Sequence, residues 1–135
     1  MLYKKIMINL LYQGHASFRL RYDNNVIYID PFAGEGYDLP ADLVLITHEH
    51  RDHNDLKKIV SIKGPIIRSK DMVDGENYLS KNICGIDIIA VPAKDDFHKD
   101  MCCVGYVLKI KEKKLYFAGD TSTTRYMSGK LAKKI

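Results

Sequence analysis

No stretch of this 135-residue chain approaches the ~20 consecutive apolar residues that a membrane-spanning helix needs, so no helical anchor is expected. Cysteine is scarce. The three present, Cys84, Cys102 and Cys103, are odd in number and two are adjacent, which excludes a disulfide framework and points to a reducing, cytoplasmic setting. No C-x-x-C pair exists for a structural zinc site. Cys102 follows His98 by four residues and could approach a metal there, but a buried structural thiol is the preferred reading. Lysines in Met1-Leu2-Tyr3-Lys4-Lys5-Ile6 are not followed by a small-residue cleavage site, so no signal peptide is expected. Repeats, linkers and low-complexity segments are also lacking, and 46% hydrophobic residues suffice for one compact domain over residues 1–135. Charge of one sign is not in large excess: 21 Lys+Arg against 17 Asp+Glu give +4. That favours an anionic small-molecule substrate slightly, and without an aromatic-basic stripe it argues against nucleic acid. Lys109, Lys111, Lys113 and Lys114 flank an expected hairpin turn and read as a solvated turn before a phosphate patch. No serine or cysteine is set up as a nucleophile.

What is present is concentrated. His48-Glu49-His50-Arg51-Asp52-His53 gathers three of the chain's five histidines and an aspartate. At this composition the pattern H-x-H-x-D-H arises by chance roughly once in a thousand such chains. Imidazole and carboxylate together suit zinc, manganese or iron, and no single ion would normally take all four groups from so short a turn. Histidines at i and i+2 can point one way from extended backbone, while Asp52 and His53 turn toward another. The pattern reads as the first half of a two-metal hydrolytic site.

The flanks support it. Asp42-Leu43-Val44-Leu45-Ile46-Thr47 is an unbroken apolar run, the pattern of a strand buried on both faces. It delivers the histidines to a strand's carboxyl end, where open α/β sheets hold their ligands. Asn54 or Asp55 is expected to cap a helix starting at Leu56, and Ser69 a brief helix over 70–73. Strands are expected over 6–12, 16–22, 26–29, 42–46, 64–67, 86–91, 104–110 and 115–118, with Pro31 ending the third. His98 lies in the polar loop 92–100 and would supply the third nitrogen that a first metal needs. Asp120, after the strand end Ala118-Gly119, presents a carboxylate whose two oxygens can bridge ions ~3.5–4 Å apart.

Taken together, Gly14-His15-Ala16-Ser17-Phe18, Ile29-Asp30-Pro31-Phe32, the histidine cluster, the His98 loop and Ala118-Gly119-Asp120-Thr121 resemble the metallo-β-lactamase fold superfamily of metal-dependent hydrolases. Within it, the chain is most similar to the branch containing L-ascorbate 6-phosphate lactonase. The resemblance implies an α/β (α+β) fold, an αββα sandwich of which this chain carries the first half plus the following hairpin. It implies that His48, His50 and His98 hold one divalent ion and Asp52 and His53 a second, with Asp120 bridging; zinc is expected first, manganese or iron as alternatives. Asp30 would prop the histidine loop through hydrogen bonds. His15 would lie near the active site and contact substrate, although alone it reads equally well as a satisfied loop residue. The chemistry implied is metal-assisted hydrolysis of a small phosphorylated lactone, ester or phosphodiester, with Asp52 orienting the attacking water.

The chain departs from the family in one respect. No histidine follows His98, so the final metal ligand of the family's second half is lacking. A lone half-sandwich would also expose an apolar sheet face, so three expectations compete: a truncated domain, a complementing chain that supplies the second half, or a second copy paired face to face. The competing expectation is therefore a metal-binding half-domain that needs a partner chain or is inactive.

Overall fold

Alternation of apolar side chains decides the architecture seen in the structure, a computed structural model that describes residues 7–93 and 103–119. In β3 (Asn25–Ile29), Ile27 and Ile29 face one way and Val26 and Tyr28 the other, and both sets are buried. β4 (Leu43–Leu45) repeats the pattern: Leu43 and Leu45 look inward while Val44 and the following Ile46 look outward. Burial on both faces is why the 42–47 run has no polar interruption.

These strands form the middle of a five-stranded sheet. β1 (Ile8–Gly14), β2 (Ser17–Tyr22) and β3 run antiparallel, and β4 and β5 (Ile66–Ile67) continue parallel to β3, in the order β1-β2-β3-β4-β5. A second sheet faces it. β8 (Ser80–Ile83), β9 (Ile86–Pro92), β10 (Val104–Ile110) and β11 (Lys113–Phe117) are antiparallel in the order β11-β10-β9-β8. Between the sheets Leu20, Ile27 and Leu45 meet Ile88, Tyr106 and Leu108, all fully buried. A two-stranded ribbon, β6 (Val73–Asp74) with β7 (Asn77–Tyr78), precedes the second sheet. Outside the first sheet, Tyr37, Ala41 and Ile59 cover Val26, Tyr28, Val44 and Ile46.

The two β layers that the resemblance implied are present, but the expected helices are shorter. Leu56–Lys58 makes a single 3-10 turn, and Asp55 at its start makes no capping side-chain hydrogen bond. Asn54 lies one residue before the cap position, and its amide donates to Glu49 at 2.7 Å. The second helix is a 3-10 turn over Ser69–Met72, with Arg68 and not Ser69 in the cap position. β8 was not expected at all: its residues are mostly exposed and polar, so they carry no hydrophobic period. The four lysines of the β10–β11 hairpin are solvent-exposed around a turn with Lys111 at φ 53°, as expected. Of the cysteines, Cys103 is buried, Cys84 half-buried, and Cys102 lies outside the described residues. Among the described residues no helix is long and apolar enough to cross a membrane.

Candidate metal centre

Parallel pairing of β3 and β4 sets Ile29 beside Leu45, so the residues leaving both strands, Asp30 and then Thr47-His48, emerge side by side. Asp30 has φ 47° and is 1% exposed. A left-handed backbone is among the conformations aspartate tolerates. Its carboxylate accepts three hydrogen bonds: Thr47 N–H at 2.8 Å, Thr47 Oγ1 at 2.7 Å and His53 Nδ1 at 2.8 Å. Burial pushes this carboxyl above the usual carboxylate range, and the bonds from His53 and Thr47 pull the other way.

These contacts set the histidine tautomers. Thr47 gives its hydroxyl proton to Asp30, so its oxygen is left to accept from His48 Nδ1, 3.0 Å away. His53 Nδ1 likewise donates to Asp30. Both rings then carry their proton on Nδ1 and keep the Nε2 lone pair for a ligand, the arrangement by which a carboxylate behind a histidine serves a metal. Asp30 thus supports the loop as the resemblance implied. Thr47, which sequence reading placed only as a strand terminus, is the relay between Asp30 and His48.

The loop itself is a tight turn, with His53 N–H donating to the His50 carbonyl at 2.8 Å. It brings His48, His50 and Asp52 together: one ligand atom from each lies within 4.8 Å of the others. Donors around one tetrahedral ion at ~2.1 Å would stand about 3.4 Å apart, so a shift of roughly an ångström closes the set. His53 adjoins it, with its ring centroid 4.0 Å from that of His48 and its Nε2 3.6 Å from Asp52 Oδ1. Asp52 therefore stands between the His48–His50 pair and His53, within reach of either. The donor set fits divalent metal. Glu49, between the two histidines, is an anion: partial burial pushes its carboxyl up, but hydrogen bonds from Arg68 and Asn54 outweigh this and hold it below the usual range.

A cavity of about 350 Å³ opens beside the cluster, walled by His15, Phe18, Asp52, His53, Tyr116 and Gly119. His15 is exposed at its mouth, at φ 49°, with its ring edge-on to Phe32 at 5.4 Å. Gly119, at φ 63°, is pressed so closely on Thr47 that a Cβ there would lie 2.6 Å from Thr47 Oγ1. The second sheet is stitched to the same strand end. Tyr106 donates its buried hydroxyl to the Ile46 carbonyl at 2.7 Å, and Val104 N–H donates to the Thr47 carbonyl at 2.9 Å. Burial drives the Tyr106 phenol well above its ordinary pKa, so it is a neutral donor. Tyr106 was legible only as one aromatic in an apolar strand. His98 and Asp120 lie outside the described residues.

Two facing sheets with a histidine–aspartate loop at the carboxyl end of a parallel strand define a metal-binding α/β sandwich. The family model for the Beta-lactamase superfamily domain matches residues 9–133, and the chain belongs to that superfamily. It is 32% identical over 142 residues to a UPF0173 metal-dependent hydrolase of Thermococcus onnurineus and 31% identical over 140 residues to one of Thermococcus kodakarensis. Each alignment takes in 85% of this chain and 62% of the relative, so the chain spans about 62% of the length of the curated relatives it matches. A crystal structure assigned as a metal-dependent hydrolase of Parabacteroides distasonis is similar with a TM-score of 0.75 at 32% identity, over 90% of this chain and 64% of that one. The diiron β-hydroxylase CmlA of Streptomyces venezuelae shares the fold alone, with a TM-score of 0.70 at 18% identity over 98% of this chain and 33% of its own.

Proposed function

We propose that the chain is the metal-binding part of a hydrolase that acts on a small anionic substrate, a phosphorylated lactone, ester or phosphodiester, in the branch containing L-ascorbate 6-phosphate lactonase. The observation that carries this reading is the convergence of His48, His50 and Asp52 within 4.8 Å. The names of relatives at about 30% identity, metal-dependent hydrolases, support it. Two divalent ions are proposed, zinc first, with manganese or iron as the alternatives the donors also suit. When bound, they would lower the pKa of water and stabilise developing negative charge. His48 and His50 would hold the first, with His98 as the third nitrogen; Asp52 and His53 would hold the second, and Asp120 would bridge.

The remaining roles fall to side chains around the cavity. Asp52, shared by the donor cluster and the cavity wall, orients the attacking water. His15 contacts the substrate from the cavity mouth, while Phe18 and Tyr116 exclude bulk water behind it. Asp30 orients His53 directly and His48 through Thr47, so that Nε2 is the ligand atom of both rings. The setting proposed is cytoplasmic, and residues 1–135 are proposed to belong to a single domain.

A second reading is favoured by one feature: edge strand β1 presents Leu10, Leu11 and Tyr12, with Met7 just before it, to solvent. On this reading the chain binds metal but catalyses only with a complementing chain or a second copy. Metal content per chain, measured with mass in solution, tests both. Two metals per chain with turnover of a sugar-phosphate lactone or a phosphodiester supports the hydrolase. A monomer holding less than one metal per chain overturns it. Cleavage of RNA in a parallel assay would overturn the small-substrate class.

A further inference from the structure

Glu49 is the one carboxylate inside the ligand loop that does not join the donor cluster, and its position is held from two sides. Asn54, immediately after His53, donates its amide to Glu49 Oε2 at 2.7 Å. Arg68 Nη1 donates to both oxygens of the same carboxylate, at 2.7 and 2.8 Å. The first contact closes the base of the loop, because it joins the residue after His48 to the residue after His53. The second ties the closed loop to the neighbouring strand, because Arg68 directly follows β5.

That anchor is itself fixed. β5 pairs with β4 through Val44–Ile66 and Leu45–Ile67, and Ile46 N–H reaches the Ile67 carbonyl at 2.9 Å. Arg68 then donates its backbone N–H to Asp71 Oδ2 at 2.9 Å, and Asp71 N–H returns a bond to the Arg68 carbonyl at 3.0 Å. The guanidinium therefore starts from a backbone held by the loop's own strand before Arg68 and by Asp71 after it. An ion pair with side chains 29% and 44% exposed contributes little to global stability. What it can do is fix the separation of His48, His50 and Asp52, which a metal reads far more sharply than the fold does.

We propose that Glu49, Asn54 and Arg68 form a positioning clamp that sets the spacing of the metal-ligand loop from outside the coordination shell. The proposal rests on the metal-site reading above, and the test separates the two. In the full chain, zinc affinity is measured by competition with a chromophoric chelator for the wild type, Arg68→Ala, Arg68→Lys, Glu49→Gln, Glu49→Gln/Arg68→Ala and His48→Ala, and the melting midpoint of each is read without metal. Arg68→Ala should weaken zinc binding by about tenfold while its metal-free midpoint stays with the wild type. Arg68→Lys should recover most of the affinity, since a single nitrogen makes both contacts. The double variant should bind no more weakly than Arg68→Ala. Wild-type affinity in Arg68→Ala, or additive losses in the double variant, would overturn the clamp; so would a metal-free midpoint that falls with Arg68→Ala, which marks a structural role. If His48→Ala binds zinc as the wild type does, the metal site falls and the clamp with it.

Discussion

Asp30 answers three donors from two residues, and removing its carboxylate would strand all of them in a buried site. Each unsatisfied buried donor costs ~1–3 kcal/mol, partly offset because a buried carboxylate no longer needs desolvating. Asp30→Ala should therefore lower stability by about 2–4 kcal/mol in metal-free urea unfolding. It should also weaken zinc binding ~10–100-fold, because His53 loses its Nδ1 partner and Thr47, which holds His48, loses the acceptor that orients its hydroxyl. Gly119 gives a second expectation. Alanine there must adopt φ 63° and press on Thr47 Oγ1, so Gly119→Ala should cost about 2–4 kcal/mol and reduce metal affinity with it. At this scale the sequence is uneven as a guide. The histidines and Asp52 announce themselves because their side chains have few structural reasons to cluster. Thr47 does not, because a threonine ending an apolar run is an ordinary strand former until its Oγ1 is seen between Asp30 and His48.

Elements were legible where burial leaves a period and obscure where it does not. β3, β4, β9 and β10 could be located within a residue or two because their apolar faces repeat, and β4 because both its faces are buried. β8 was missed because it is an exposed edge that pairs with β9 and buries almost nothing of its own. The helix expected after the ligand loop is only a three-residue turn: Asp55 stands in its cap position without a capping bond, and Ile59 returns to extended backbone. The bond from Tyr106 to Ile46 stitches the two sheets together. Tyr106→Phe should leave the Ile46 carbonyl without its buried donor and cost about 1–3 kcal/mol in chemical unfolding, with the strand registers unchanged by NMR.

For the molecule as a whole, two expectations concern what binds it. If zinc binds the native state alone, holding free zinc at 100 times its Kd should raise unfolding free energy by ~2.7 kcal/mol, and a chelator should remove that increment. Failure of the increment to track zinc concentration would count against a native-state site. The second concerns β1, the edge strand of its sheet among the described residues, which carries Leu10, Leu11 and Tyr12 at 43%, 36% and 60% exposure. Long apolar edges recruit further strands unless charge blocks them. Dilution-dependent mass in solution, abolished by Leu10→Lys, is the expected outcome; a concentration-independent monomer would remove this edge as a contact surface.

The bond from Tyr106 to Ile46 spans 60 residues of chain. Contacts of such separation form only after much of the chain's freedom has been surrendered, so they belong to the slow, late part of folding. The ligand loop hangs from that same strand end, and its donors should come into register only when the second sheet docks. Metal should then act after the folding barrier, not before it: added zinc should leave the refolding rate unchanged and slow unfolding, which paired stopped-flow traces would show.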